Sequence, residues 1–224
     1  MPRPRGERAA KEALYDGFAT VAAALANGRR AEIVELLAQG ERSVREVARA
    51  IDQSVANTSH HLRALASAGL VARRRDGTHV YYRLAGDDVY GLWAGMREVA
   101  ETRLDGITEL ARDYLGDRRG LPTIGRDELA VLMEHGAVTV VDVRPAEEYR
   151  AGHLPGAVSV PPDRLDELLP TLPADEEVVA YCRGPYCVYA DEAVRALLRA
   201  GRRARRLEGG FPEWAAEGRP VAVD

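Results

Sequence analysis

Cysteine is nearly absent, with two residues in a chain of 224. Two cysteines cannot build the disulfide framework of a small secreted scaffold, and a reducing compartment is the setting they fit. Long hydrophobic runs are missing as well. No uninterrupted apolar stretch approaches the roughly 20 residues that a bilayer-spanning helix needs. The opening residues 1–14, MPRPRGERAAKEAL, lack the apolar run that follows the basic residues of a secretory signal. The expectation is a cytoplasmic protein with no membrane partner. There is no internal repeat and no low-complexity tract. An excess of positive charge is lacking too, since the net charge is −4, which taken alone argues against a nucleic-acid partner.

What is present is an ordinary globular composition, 46% hydrophobic and 29% charged, long enough for one or two domains with ample core. The charge is unevenly placed. Residues 1–116 carry 17 basic and 16 acidic groups, whereas 117–224 carry 14 and 19. Within the first half, residues 63–83 hold Arg63, Arg73, Arg74, Arg75 and Arg83 against the single carboxylate Asp76. A local basic stripe matters more for phosphate contacts than the total does.

Both cysteines fall in residues 176–198, EEVVAYCRGPYCVYADEAVRALL. Residues 178–181 are a short β-rich apolar run of the kind that forms a buried parallel strand, and 189–198 repeat apolar residues at helical spacing. Between them lie Cys182, Arg183, Gly184, Pro185, Tyr186 and Cys187. A loop of this kind can turn its backbone N–H groups toward one point, with the positive end of the next helix behind them. Cys182 at that point, with Arg183 beside it, is expected to have a depressed pKa and to act as a nucleophile.

This loop resembles the active-site loop of the rhodanese family, sulfurtransferases whose cysteine takes up sulfur as a persulfide and passes it on. Residues 140–161, VVDVRPAEEYRAGHLPGAVSVP, are similar to that family's first signature, and 209–221, GGFPEWAAEGRPV, to its closing one. Related phosphatases use a cysteine, five residues, then an arginine that binds the phosphoryl oxygens; Val188 stands at that place in this chain, so the phosphatase reading loses its phosphate-binding group. The resemblance implies Cys182 as the catalytic residue, with Arg183, Gly184, Pro185, Tyr186, Cys187 and Val188 around the substrate. It also implies a donor such as thiosulfate or a persulfide, and a thiol or cyanide acceptor. Cys187 reads either as a packing residue at the helix start or as a resolving thiol. Asp142, Arg144 and Glu148 read as a structural polar network, and His153 as holding its own loop.

The first half is punctuated by caps. Residues 7–26 and 31–38 are helical; Ser43 with Glu46 makes a capping box for a short helix over 44–50; Ser54 caps a longer one to about 68, stopped by Gly69. Two helices joined through residues 51–53 form a helix-turn-helix. Residues 70–84 read as a hairpin turning at Asp76 and Gly77, with Val80, Tyr82 and Leu84 on one face. On the second helix Val55, Thr58, Leu62 and Leu65 share the inner side, which leaves Asn57, His60 and Arg63 outward.

This order resembles the ArsR family of winged-helix bacterial repressors, through residues 43–48 (SVREVA), 57–70 (NTSHHLRALASAGL) and 80–84 (VYYRL). It implies double-stranded operator DNA as partner, with Asn57, His60 and Arg63 at base edges. Gln53 and Ser54 are candidates for phosphates or bases, and Arg73, Arg74, Arg75 and His79 for the neighbouring groove or backbone. Residues 89–114 read as one long helix whose apolar stripe (Val89, Leu92, Trp93, Met96, Val99, Ala100, Ile107, Leu110, Tyr114) a small domain cannot cover. The family pairs this helix with the first across a homodimer, and a dimer sets two recognition helices about 34 Å apart. No metal and no cofactor is expected: residues 44–50 hold no cysteine, and Asp105, Glu109 and Asp113 have no histidine beside them.

The expected fold is therefore multidomain, a mainly α winged helix-turn-helix domain over 1–115, a linker over 116–122, and an α/β rhodanese-like domain with a parallel sheet over 123–224. The expected function is a DNA-binding transcriptional regulator that carries a persulfide-forming domain. The alternative is a cytoplasmic sulfurtransferase whose winged helix serves mainly for dimerisation.

Overall fold

The computed structural model describes residues 5–223; the outer limits of the two expected domains, Met1 and Asp224, lie outside them. The chain divides into two compact units, Met1–Met96 and Arg97–Asp224.

The first unit begins with helices α1 (Arg5–Leu25) and α2 (Gly28–Leu37). Strand β1 (Arg42–Ser43) leads into α3 (Val44–Ala50), and α4 (Val55–Ser67) follows. At the start of α3, Ser43 accepts the Glu46 N–H at 3.3 Å while the Glu46 carboxylate accepts the Ser43 N–H at 2.7 Å. Hydrogen bonding to the carboxylate by the Ser43 side chain and by its backbone N–H holds the Glu46 carboxyl below its ordinary value. The turn between α3 and α4 places Asp52 at φ 49°, a left-handed conformation that an Asp side chain tolerates better than most. Strands β2 (Val71–Asp76) and β3 (His79–Leu84) then form the hairpin. Its turn is Gly77–Thr78, since Asp76 still pairs with His79 and the positive φ of 57° falls on Gly77; the expected turn at Asp76–Gly77 is one residue early. Strand β1 adds to β3 to give the order β1-β3-β2.

The core of this unit joins Ile33, Val34, Leu37, Val47, Ile51, Leu62, Leu65 and Tyr82. Thr58, Leu62 and Leu65 are fully buried on the inner side of α4, whereas Val55 is 48% exposed. The difference follows from position, because a helical side chain leans toward the N-terminus and Val55, the first helical residue, leans past the core.

Residues 89–114 are two helices, α5 (Asp87–Arg103) and α6 (Ile107–Leu115). The break comes at Gly106, whose φ of 87° ends the run and caps α6. Asp105 therefore lies in the turn, off the helix that carries Glu109 and Asp113.

The second unit is built on a five-stranded sheet, and its chain begins with β4 (Thr123–Ile124), helix α7 (Arg126–Glu134) and β5 (Val138–Asp142). Helix α8 (Ala146–Ala151), β6 (Val158–Ser159) and a one-turn α9 (Leu165–Leu168) precede β7 (Glu177–Tyr181). Helix α10 (Tyr189–Arg199), β8 (Ala204–Leu207) and α11 (Phe211–Ala216) complete it. The order is β4-β8-β7-β5-β6, with every pairing parallel. Successive residues of β7 point to opposite faces, Val178 and Ala180 into one apolar cluster with α10, Val179 and Tyr181 into another with α7 and α11. A strand buried on both sides must be apolar throughout, which is why 178–181 reads as a continuous hydrophobic run. Its carboxyl end carries Cys182.

Candidate functional site

Cys182 leaves the central strand β7 between β5 and β8, 1% exposed, and the loop runs back to α10 at Val188. The sulfurs of Cys182 and Cys187 are bonded to each other, with Cα atoms 6.2 Å apart. Cys187 is the more accessible of the two, half-buried at the loop's outer end. Inside the loop the Cys187 N–H donates to the Gly184 carbonyl at 3.2 Å.

Three of the groups that fix this loop come from the closing signature, α8 and the segment 116–122. The first is the backbone of the closing signature, where Phe211 N–H donates to the Cys182 carbonyl at 2.9 Å. A Cβ on the preceding Gly210 would fall on the Cys182 carbonyl oxygen and the Gly184 nitrogen, so only glycine fits the approach. The second is Glu148 of α8, fully buried, which accepts from Arg183 Nε on both oxygens (3.0 and 2.9 Å) and from Nη2 at 2.6 Å. Burial depresses the Arg183 pKa, and the Glu148 carboxylate more than offsets it, leaving the guanidinium firmly charged. Arg183 is thus fastened to a carboxylate, where the sequence suggested a cation standing beside the thiol.

The third group is Arg118, from the segment expected as a linker. Its Nη1 and Nη2 donate to the carbonyls of Pro185 (2.5 Å) and Cys187 (2.9 Å), and its Nε to the buried Asp191 at 2.5 Å. Nothing in the local sequence distinguishes Arg118 from its neighbour Arg119, which pairs with Asp117 on the surface.

Behind the loop, Tyr181 donates to Asp142 at 2.5 Å and accepts the Leu154 N–H at 3.1 Å. Burial and the Asp142 charge raise the Tyr181 pKa far above its ordinary range, so the phenol stays neutral. Arg144 closes the set, paired with Asp142 and donating to the Gly152 carbonyl, each at 2.6 Å. His153 stacks on Tyr149 and exchanges backbone hydrogen bonds with Ala222.

In the first unit α4 presents Asn57, His60 and Arg63 to solvent. Ser54 Oγ accepts the Asn57 N–H at 3.2 Å, and Asn57 Nδ2 donates to Gln53 Oε1 at 3.1 Å, so Gln53, Ser54 and Asn57 are ordered together at the helix start. Arg63 Nε donates to the Ser59 carbonyl of its own helix. On the hairpin Arg73, Arg75 and His79 are exposed, and Arg75 also bonds the Gly77 carbonyl. Arg74 is the engaged member. It pairs with Glu41 at 2.6 Å and Asp76 at 3.2 Å, and lies over the Tyr81 ring.

A capped helix-turn-helix with a basic hairpin, joined to a parallel α/β domain with a cysteine loop at a strand end, defines the class: a DNA-binding regulator carrying a rhodanese-type domain. The model of bacterial regulatory proteins of the arsR family matches residues 27–73, and that of the rhodanese-like domain matches 125–217. Over 216 residues the chain is 48% identical to the HTH-type transcriptional regulator Rv0324 of Mycobacterium tuberculosis, covering 96% of this chain and 95% of that protein. It belongs to the arsR family of transcriptional regulators, in the form that carries a C-terminal rhodanese domain. The second half is also 33% identical over 110 residues to the human thiosulfate:glutathione sulfurtransferase, spanning 42% of this chain and 94% of that one. Among solved structures, the homodimeric winged helix-turn-helix DNA-binding domain of Mb0332 from Mycobacterium bovis is 47% identical, with a TM-score of 0.41 over 47% of this chain and 93% of that one.

Proposed function

We propose that the chain is a dimeric cytoplasmic repressor whose operator affinity is set by the sulfur state of the 182–187 loop. DNA reading is assigned to residues 1–115 and sulfur chemistry to 123–224, with 116–122 between them. The observation that carries this reading is the bonded pair Cys182–Cys187, because it unites the chain's only two thiols within the loop.

The cycle balances with thiosulfate as the sulfur donor and oxidant and a small thiol as the reductant. The Cys182 thiolate attacks the sulfane sulfur of thiosulfate, sulfite leaves, and a persulfide remains. The Cys187 thiolate then attacks the Cys182 sulfur, the bond to the sulfane sulfur breaks, and hydrosulfide leaves as the disulfide forms. Two equivalents of a small thiol reopen it, the first attacking the more accessible Cys187. Dimerisation is favoured by the apolar residues left in solvent on α1 (Leu14, Tyr15, Phe18) and α5 (Leu92, Met96, Val99). For DNA, Asn57, His60 and Arg63 are assigned to base edges. Gln53, Ser54, Arg73, Arg75 and His79 are assigned to the backbone or the adjacent groove, and Arg74 contributes through the hairpin it braces.

Operator binding by the reduced and the persulfide-treated protein is the test. Specific binding that falls steeply with salt and changes at least tenfold between the two states is expected. In the parent, thiosulfate and cyanide are expected to turn over, and Cys182→Ser to abolish turnover. The likeness to a thiosulfate:glutathione sulfurtransferase favours a second reading, a sulfurtransferase whose winged helix only dimerises. Turnover without specific operator binding would select it.

A further inference from the structure

Arg118, in the 116–122 segment, hydrogen-bonds the reactive loop itself. Its guanidinium, with donors fixed in one plane, bonds two loop carbonyls, Pro185 and Cys187, and the buried carboxylate of Asp191 in the first turn of α10. All three acceptors can be satisfied at once for only a narrow range of loop shapes. One of the three is the carbonyl of Cys187, the residue whose sulfur is bonded to Cys182. Arg118 also stands three residues beyond Leu115, the last residue of α6, in the chain that leads from the DNA-binding half.

The segment around it is fastened at the backbone as well. Arg195 of α10 donates to the Asp117 carbonyl, and the Arg206 N–H donates to the Pro122 carbonyl. Asp191 has a second cation, Arg206, at 3.4 Å, so it keeps a counter-charge when Arg118 lets go. These features describe a residue that can release the loop without leaving a buried charge alone.

We propose that Arg118 is the latch by which the loop reports its sulfur state to the chain that enters the DNA-binding half. The proposal rests on the sulfur-sensing reading given above. With Cys182 and Cys187 joined, the Cys187 carbonyl is held where Arg118 takes it. When the bond is opened by thiol, or replaced by a persulfide on Cys182, Cys187 is free to turn and the hydrogen bond from Nη2 is lost. A charge-assisted hydrogen bond present in one state and absent in the other biases an equilibrium roughly ten- to a hundredfold, which suffices for a regulatory response. Arg118 acts through the loop and is a positioning residue.

The test uses the full chain as parent, Arg118→Lys and Arg118→Gln, each prepared reduced and with the 182–187 bond closed. Lysine keeps a cation for Asp191 but cannot span both carbonyls, so that variant serves if glutamine fails to fold. Two readouts are taken, amide hydrogen exchange across residues 116–122 and operator affinity, with intact mass confirming the state of the sulfurs. In the parent, exchange over 116–122 is expected to rise several-fold on reduction and operator affinity to change at least tenfold. In both variants the bond should still close by mass, while exchange is fast in both states and the affinity change shrinks below twofold. Equal exchange in the two states of the parent would overturn the latch, and so would a full DNA response in Arg118→Lys, either one leaving the sensing reading intact. A parent whose operator affinity ignores the loop's state would remove the sensing reading and the latch together, even if exchange responds.

Discussion

Replacing Arg183 separates two roles that the same residue can play beside a reactive thiol. If its charge draws an anionic donor, Arg183→Ala should weaken thiosulfate binding and little else. The geometry argues for a clamp, since Glu148 is fully buried and accepts three hydrogen bonds from Arg183. An exposed ion pair contributes about 0–1 kcal/mol, whereas removing one partner of a buried pair costs about 3–5 kcal/mol. With one partner at 0% and the other at 33% side-chain exposure, about 3 kcal/mol is the expected loss for Arg183→Ala. Glu148→Gln should cost about half as much, because an amide still accepts from Arg183. The double variant should recover about 2 kcal/mol relative to the sum of the two. Unfolding is best followed in a Trp93→Phe background, under reducing conditions, because Trp214 then reports alone. It is 2% exposed and donates its indole N–H to the Pro220 carbonyl. Sulfur uptake should fall for thiosulfate and for an uncharged persulfide donor alike. A coupling under about 0.5 kcal/mol, with the defect confined to KM for thiosulfate, would refute the clamp.

Gly210→Ala should cost roughly 1–3 kcal/mol and most of the sulfur uptake at Cys182, since backbone atoms of the loop cannot move aside; full activity in that variant would show that the approach is slack. Asn57→Ala or Arg63→Ala should each lose roughly 1–3 kcal/mol of operator binding and relax the preference at particular base pairs, whereas Arg73→Ala should weaken all sequences alike and reduce the salt slope. Binding to base-substituted operators at two salt concentrations separates these outcomes. Ser43→Ala should destabilise the helix-turn-helix by about 1 kcal/mol. Because the Glu46 pKa is lowered in the folded protein, its contribution is present above its unfolded value near 4.5 and is lost as pH falls through the folded one. The cost of Ser43→Ala, read by thermal unfolding, should therefore be largest at neutral pH and shrink in acid.

The parts of the fold that were legible in the sequence are those set by local physics. The capping box at Ser43 and Glu46 marks the start of α3 to the residue, and the Gly69 stop comes within two residues of the end of α4. The continuous apolar run at 178–181 announces a doubly buried strand because both of its faces must be apolar. Strands β1 and β4, two residues each, carry no such pattern and exist only through pairing with β3 and β8. The break at Gly106 was hidden because the apolar spacing continues across it. In the site, the loop itself could be read off its residues. Its supports could not, because Arg118 and Glu148 reach the loop across 69 and 35 residues of chain, and many other arginines and glutamates share their local character.

Confinement of both cysteines to one loop makes any thiol-directed reagent a site-directed one. A maleimide dye added to the reduced, folded protein has Cys182 and Cys187 as its only targets, and the greater accessibility of Cys187 directs the first label to the outer end of the loop. Loop chemistry can thus be followed by fluorescence in the unaltered chain, with no background cysteines to remove. The same confinement makes thiol-blocking agents used during cell lysis a hazard, since they would cap the very residues whose state is to be measured.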